Sequence, residues 1–184
     1  MPPAPSRRLL WVAVIFYVPM LAAAPFVEPR SLLAIGPGPE ALLRQGLGMG
    51  VAALAGVAVV LGSRWVARKT GWGRALRTEL GALVGGLGSS QILVVALLSA
   101  FGEELLFRGV ALGYLGVWFQ GALFGLFHFP VRRALWPWTG FALVMGLGLG
   151  VLTNWSGSLW PAVLLHFCVN YFNLHDLADR PVGA

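Results

Sequence analysis

Five stretches of the chain carry no Asp, Glu, Lys or Arg: Leu9–Val27, Gln45–Ser63, Leu80–Gly102, Gly109–Val131 and Ala134–His175. Their lengths are 19, 19, 23, 23 and 42 residues. A helix needs about 20 apolar residues to cross the hydrocarbon core of a bilayer. The first four stretches each suffice for one crossing. The fifth suffices for two, with Asn154–Gly157 as a polar turn in its middle. The pattern predicts an all-α, polytopic membrane helix bundle of about six spans.

Composition excludes the water-soluble alternative. Of 184 residues, 58% are hydrophobic and 11% charged, and mean hydropathy is +0.78. A soluble domain carries roughly a quarter charged residues. The net charge of +6 does not indicate a nucleic-acid partner, because the cations sit in the gaps between apolar stretches. Arg7 and Arg8 precede the first span, Arg64–Arg77 separate the second and third, and Arg132 and Arg133 separate the fourth and fifth. These are alternate loops, so the positive-inside rule puts them, and both termini, on the cytoplasmic side. The segment Glu28–Arg44 then lies opposite. Arg7-Arg8, Leu9–Met20 and Ala22-Ala23-Ala24 also resemble a cleavable signal segment, the minor alternative. Arg64–Arg77, with Trp65 and Trp72, reads as a loop or interfacial helix against anionic lipid. The glycines 46, 48, 50 and 56, and then 146, 148 and 150, read as close helix packing. Cys168, the single cysteine, reads as packing, and His175 as an interfacial residue.

Polar side chains are costly in lipid and therefore informative. They form three groups: Glu103-Glu104-Leu105-Leu106-Phe107-Arg108, Phe124-Gly125-Leu126-Phe127-His128 and His166-Phe167-Cys168-Val169-Asn170. Were the third span Leu80–Gly102, the glutamates would lie in an exposed loop. Shifting it to about 90–112, after the Gly85–Ser90 break and before a turn near 113–116, brings them to mid-membrane. At 1.5 Å per residue, Glu103, His128, His166 and Asn170 then lie roughly 12–20 Å below one surface. This common depth favours the shifted span. Residues four apart share a helix face, which pairs Glu104 with Arg108, Phe124 with His128 and His166 with Asn170. Glu103 points about 100° away from Glu104.

Glu103-Glu104-xxx-Arg108, Phe124-xxx-His128 and His166-xxx-Asn170 together resemble, in order, the three motifs of the CPBP intramembrane proteases, which include the Rce1-type CAAX prenyl endopeptidases and bacterial Abi proteins. The resemblance covers about residues 89–174, with a short interval between Arg108 and His128. It divides the chain into residues 1–79, two helices and a basic loop, and residues 80–184, a catalytic bundle. It implies an intramembrane endopeptidase that cuts a membrane-anchored protein, either a CAAX-type substrate or a carboxy-terminal sorting segment. The resemblance makes Glu103 the residue that activates water and His128 the one that holds that water or shares its proton. His166 and Asn170 would polarise the carbonyl, and Glu104 and Arg108 would support the site. A desolvated carboxylate is suited to general-base work, and preorganised donors stabilise an oxyanion. No cofactor is firmly implied. Zinc on Glu103, His128 and His166 is the open alternative, although the H-E-x-x-H pattern is absent. Serine chemistry fits poorly, and no Asp precedes Asp176. The expected setting is a bacterial inner or plasma membrane. The rival readings are a non-catalytic immunity or scaffold protein and a small proton-coupled transporter.

Overall fold

The computed structural model describes residues 5–27, 36–130 and 132–179, all of them in helices or short connections, with no strand among the described residues. The side chains of Arg7 and Arg8, most of the first polar connection (28–35) and Val131 lie outside the described residues. The helices are α1 (Pro5–Val27), α2 (Pro39–Lys69), α3 (Gly71–Val84), α4 (Ser89–Glu104), α5 (Leu112–Phe127), α6 (Trp136–Ser156) and α7 (Trp160–Ala178). A π-helical turn, Leu105–Ala111, joins α4 to α5, and a 3₁₀ turn, Arg133–Leu135, leads into α6.

Local chemistry sets the ends of these helices. Pro39 follows Gly38 at the start of α2, where a missing N–H costs nothing. Thr70 divides α2 from α3: its hydroxyl donates to the Val66 carbonyl at 2.9 Å and accepts from the Gly73 N–H at 3.0 Å. The Gln91 side chain accepts from the Gly88 N–H at 3.0 Å where α4 begins. Gly157, at φ 66° and ψ 21°, ends α6 in the left-handed conformation that glycine adopts without strain. The third apolar element therefore starts at Ser89, as the shifted span requires, and the turn expected at Asn154–Gly157 falls later, at 157–159, because α6 continues to Ser156.

Ser89–Phe127 is helical almost throughout, but it is not one straight rod. At Gly116 the backbone takes φ 69° and ψ 176°, which breaks the helix. A straight helix would hold Glu103 and His128 roughly 37 Å apart at its rise of 1.5 Å per residue. Instead their side chains approach within 3.6 Å, so the chain runs out to Gly116 and returns. The Phe107 and Phe124 rings, on opposite arms, meet edge to face at 4.8 Å between centroids.

Packing uses small residues on one face of each helix. Gly48, Ala52, Gly56 and Val60 form a buried stripe on α2 at four-residue spacing. It lies against α7 and the end of α6, where an added Cβ would meet Pro161 and Ser156 at position 48 or Cys168 at position 56. The expectation of close packing at every glycine is thus too broad. Gly46, Gly50 and Gly148 face open space, because they lie off the contact stripe. Ala52, Leu149, Leu152, Ala162, Leu165 and Val169 join α2, α6 and α7 in one apolar core. Large apolar side chains point outward as well: Leu54 is 75% exposed and Trp118 76%.

The basic stretch is helical. α3 brings Arg77 onto Asp176 of α7, and Arg64 Nε lies 3.9 Å from the same carboxylate. Glu79 of α3 pairs with Arg132 beside the 3₁₀ turn. Pro39–Lys69, Ser89–Phe127 and Arg133–Ser156 are each long and apolar enough to cross a bilayer by length and composition, and α1 has a shorter apolar run at Leu10–Ala22. With the outward apolar faces, this makes the chain a membrane protein built as a helical bundle.

Candidate active site

Glu103 and Glu104 close α4, and both are buried. Being adjacent on a helix, they diverge by about 100° and enter two different sets of contacts. Glu104 Oε1 accepts from Arg108 Nη1 at 2.8 Å and lies 2.7 Å from His166 Nδ1. The side chains of Glu104 and Arg108 are wholly excluded from solvent. Arg108 Nη2 also donates to the Gly146 carbonyl at 3.1 Å, and its guanidinium carbon stands 4.5 Å from the Phe124 ring centroid. The carboxylate, the guanidinium and the imidazole thus form a buried chain from α4 to α7.

Glu103 divides its two oxygens. Oε1 accepts from the Tyr17 hydroxyl of α1. Oε2 is buried, without a hydrogen-bond partner, and faces His128 Nε2 at 3.6 Å and His166 Nε2 at 3.9 Å. The other ring nitrogens settle which tautomers these histidines carry. His128 Nδ1 lies 2.8 Å from the Phe124 carbonyl, which can only accept, so Nδ1 donates. His166 Nδ1 lies against a carboxylate already paired to arginine, and it donates too. In each neutral ring the lone pair is therefore on Nε2, the atom turned to Glu103. Glu103 Oε2 and the two Nε2 atoms thus converge on one small volume.

His128 is held from several sides. It follows the last turn of α5, its carbonyl accepts from Thr139 Oγ1 at 2.9 Å, and its ring meets Phe124 at 4.5 Å and Trp138 at 5.2 Å. Its side chain keeps 18% exposure, against 9% for Glu103. His128 is thus the most accessible of the three side chains that face one another.

Of the residues singled out in the sequence, the fold gathers Glu103, Glu104, Arg108, His128 and His166. Asn170 is placed differently. One turn from His166, its Nδ2 donates to Ser99 Oγ at 2.9 Å. Its contact is with α4 and not with the Glu103 carboxylate. Two side chains had no signal in the motifs. Tyr17 reaches Glu103 across 86 positions of sequence. Gln120, wholly buried, donates to the carbonyls of Val117 at 3.1 Å and Gly146 at 2.8 Å. A lone glutamine inside an apolar run was the available clue for the second.

The donor set of Glu103, His128 and His166 has the chemistry that zinc takes, and each histidine donates its other nitrogen to an oxygen, as metal-bound imidazoles do. The spacing is wider than the roughly 3.3 Å between ligands on a tetrahedral zinc, and no three such groups form a preformed metal cluster among the described residues.

Comparison with known proteins points the same way as the motifs. Residues 86–172 match the family described as type II CAAX prenyl endopeptidase Rce1-like. The chain is 36% identical over 82 residues to the uncharacterized protein YpbD of Bacillus subtilis (strain 168), a match spanning 44% of this chain and 42% of that protein. The chain thus covers well under half the length of that relative. No solved structure matches it. The matched segment begins just before α4 and ends within α7, so it contains both arms of the hairpin and every residue of the buried cluster except Tyr17. The likeness to the type II CAAX prenyl endopeptidase Rce1-like family thus falls on the segment, residues 86–172, that carries the buried cluster.

Proposed function

We propose that the protein is an intramembrane endopeptidase that hydrolyses a peptide bond of a membrane-anchored protein, with Glu103 as the base that activates water. The observation that carries this reading is the convergence of Glu103 Oε2 with the Nε2 atoms of His128 and His166. A water among these groups donates its hydrogens to two acceptors and turns an oxygen lone pair in a third direction. With Glu103 and His128 as those two, the water oxygen attacks the scissile carbonyl, the C–O bond forms and the proton passes to Glu103. His166, when it carries a proton on Nε2, donates to the oxyanion. Asn170 has one amide hydrogen beyond the one given to Ser99 and is a further donor. Glu103 then returns the proton to the leaving nitrogen as the C–N bond breaks. Glu104 and Arg108 hold His166 in register.

A zinc ion, if the protein carries one, would be held by Glu103, His128 and His166, and would supply an acidified water and a polarised carbonyl. The substrate is a CAAX-type or carboxy-terminal sorting segment. The bilayer setting is a bacterial inner or plasma membrane crossed about six times, with the basic connections cytoplasmic.

The test is cleavage of a quenched, lipid-anchored peptide by the full chain in liposomes. Glu103→Gln should insert and fold normally while losing about 10²–10⁴-fold in rate, the usual contribution of a general base. Undiminished cleavage in that variant would remove Glu103 from the role of base, and no cleavage by the parent chain would sink the protease reading in favour of a scaffold. Activity that is abolished by a chelator and restored by zinc would assign the metal variant of the mechanism.

A further inference from the structure

Tyr17 belongs to a helix outside the matched segment, yet its hydroxyl is the hydrogen-bond donor to Glu103 Oε1. We infer that Tyr17 is a positioning residue for Glu103, so that α1 is a working part of the active site; this rests on the protease reading above. The last torsion of a glutamate is broad, and a carboxylate gripped at neither oxygen samples many orientations. The phenol grips Oε1 and leaves Oε2 directed at His128 and His166. A base must hold its acceptor oxygen within hydrogen-bond reach of the attacking water, and this grip meets that need.

A second feature, on the other helix, is shaped to the same contact. Gly102 immediately precedes Glu103, and a Cβ there would lie 2.8 Å from Tyr17 Cδ1 and 3.4 Å from its Cβ and Cγ. Any larger residue at 102 displaces the ring. Phe16, edge-on to Tyr17 at 5.3 Å, is 53% exposed, so the tyrosine is the member of the pair that turns inward. A tyrosine needed only for packing would not require its hydroxyl on the one carboxylate that faces both histidines.

The experiment uses the full chain in lipid nanodiscs, read by infrared difference spectroscopy with isotope-labelled glutamate and by cleavage of a lipid-anchored peptide. Glu103→Gln identifies the carboxylate band and the activity that belong to Glu103. In Tyr17→Phe, which removes one oxygen, that band should shift and kcat should fall about ten- to a hundredfold, the scale of a misplaced catalytic group. Gly102→Ala should do the same by moving the ring, and it provides the measurement should Tyr17→Phe fold poorly. A Glu103 band unmoved in the folded variants overturns the inference. No cleavage by the parent chain overturns the protease reading, and cleavage surviving in Glu103→Gln overturns Glu103 as the base and the positioning role with it. An inactive Glu103→Gln beside a fully active Tyr17→Phe overturns the positioning role alone.

Discussion

Two neighbouring carboxylates do different work because a helix turns them apart. Glu104 meets Arg108 and His166 through Oε1, whereas Glu103 turns an unpartnered Oε2 towards His128 and His166. The Glu104–Arg108 pair was legible from its four-residue spacing. Its continuation to His166 was not, because periodicity describes one helix and that contact joins two. A buried pair is costly to halve: removing one partner strands the other charge, at about 3–5 kcal/mol. Arg108→Ala should therefore lower thermal stability in detergent as well as activity, while Glu103→Gln should leave the unfolding midpoint near that of the parent. Equal midpoints for Arg108→Ala and the parent would mean that Glu104 finds another partner.

At the scale of elements, the glycines separate into those that a neighbour needs and those that none does. Gly48 lies under Pro161, with an added Cβ 2.9 Å from its Cγ, while Gly50 faces open space two residues on. Gly48→Val should cost about 1–3 kcal/mol by forcing α2 away from α7. Gly50→Ala should be neutral or stabilising, since alanine is the better helix former by roughly 1 kcal/mol. Denaturation in mild detergent measures both, and equal losses at the two sites would contradict the packing. Composition alone revealed many small residues in α2 and α6, but not which face of either helix meets another. That choice is made by the partner helix. The same limit hid Tyr17: nothing in an apolar first helix marks one aromatic ring as facing a glutamate 86 positions away.

For the whole molecule, the apolar stretches were enough to predict an all-α bundle, and the polar groups inside them enough to shift the third helix into register. The amphipathic α3 was harder to read, because its cations are equally at home in a solvated loop. In the structure it is tied down by Arg77 to Asp176 and by Glu79 to Arg132, which connects α3 to α7 and to the start of α6. All four residues then belong on one side of the membrane. Single cysteines in residues 64–77 and at 132–133 should react with an impermeant thiol reagent from the cytoplasmic face only, and cysteines at 36–40 from the other face only. Labelling of the two basic regions from opposite faces would break the arrangement.

The hairpin about Gly116 restricts how the length of this chain can change. Glu103 lies thirteen residues before that glycine and His128 twelve after it, and Phe107 and Phe124 are matched in the same way, nine before and eight after. One residue inserted into either arm would slide a side chain by about 1.5 Å and swing it by about 100°, ending the opposition. Length can be added in phase only in paired whole turns, some seven residues on each arm. The π-helical turn at Leu105–Ala111 holds an extra residue of winding within this interval. Relatives that keep this site should therefore differ freely in length before Ser89, while the interval from Glu103 to His128 changes rarely and in steps.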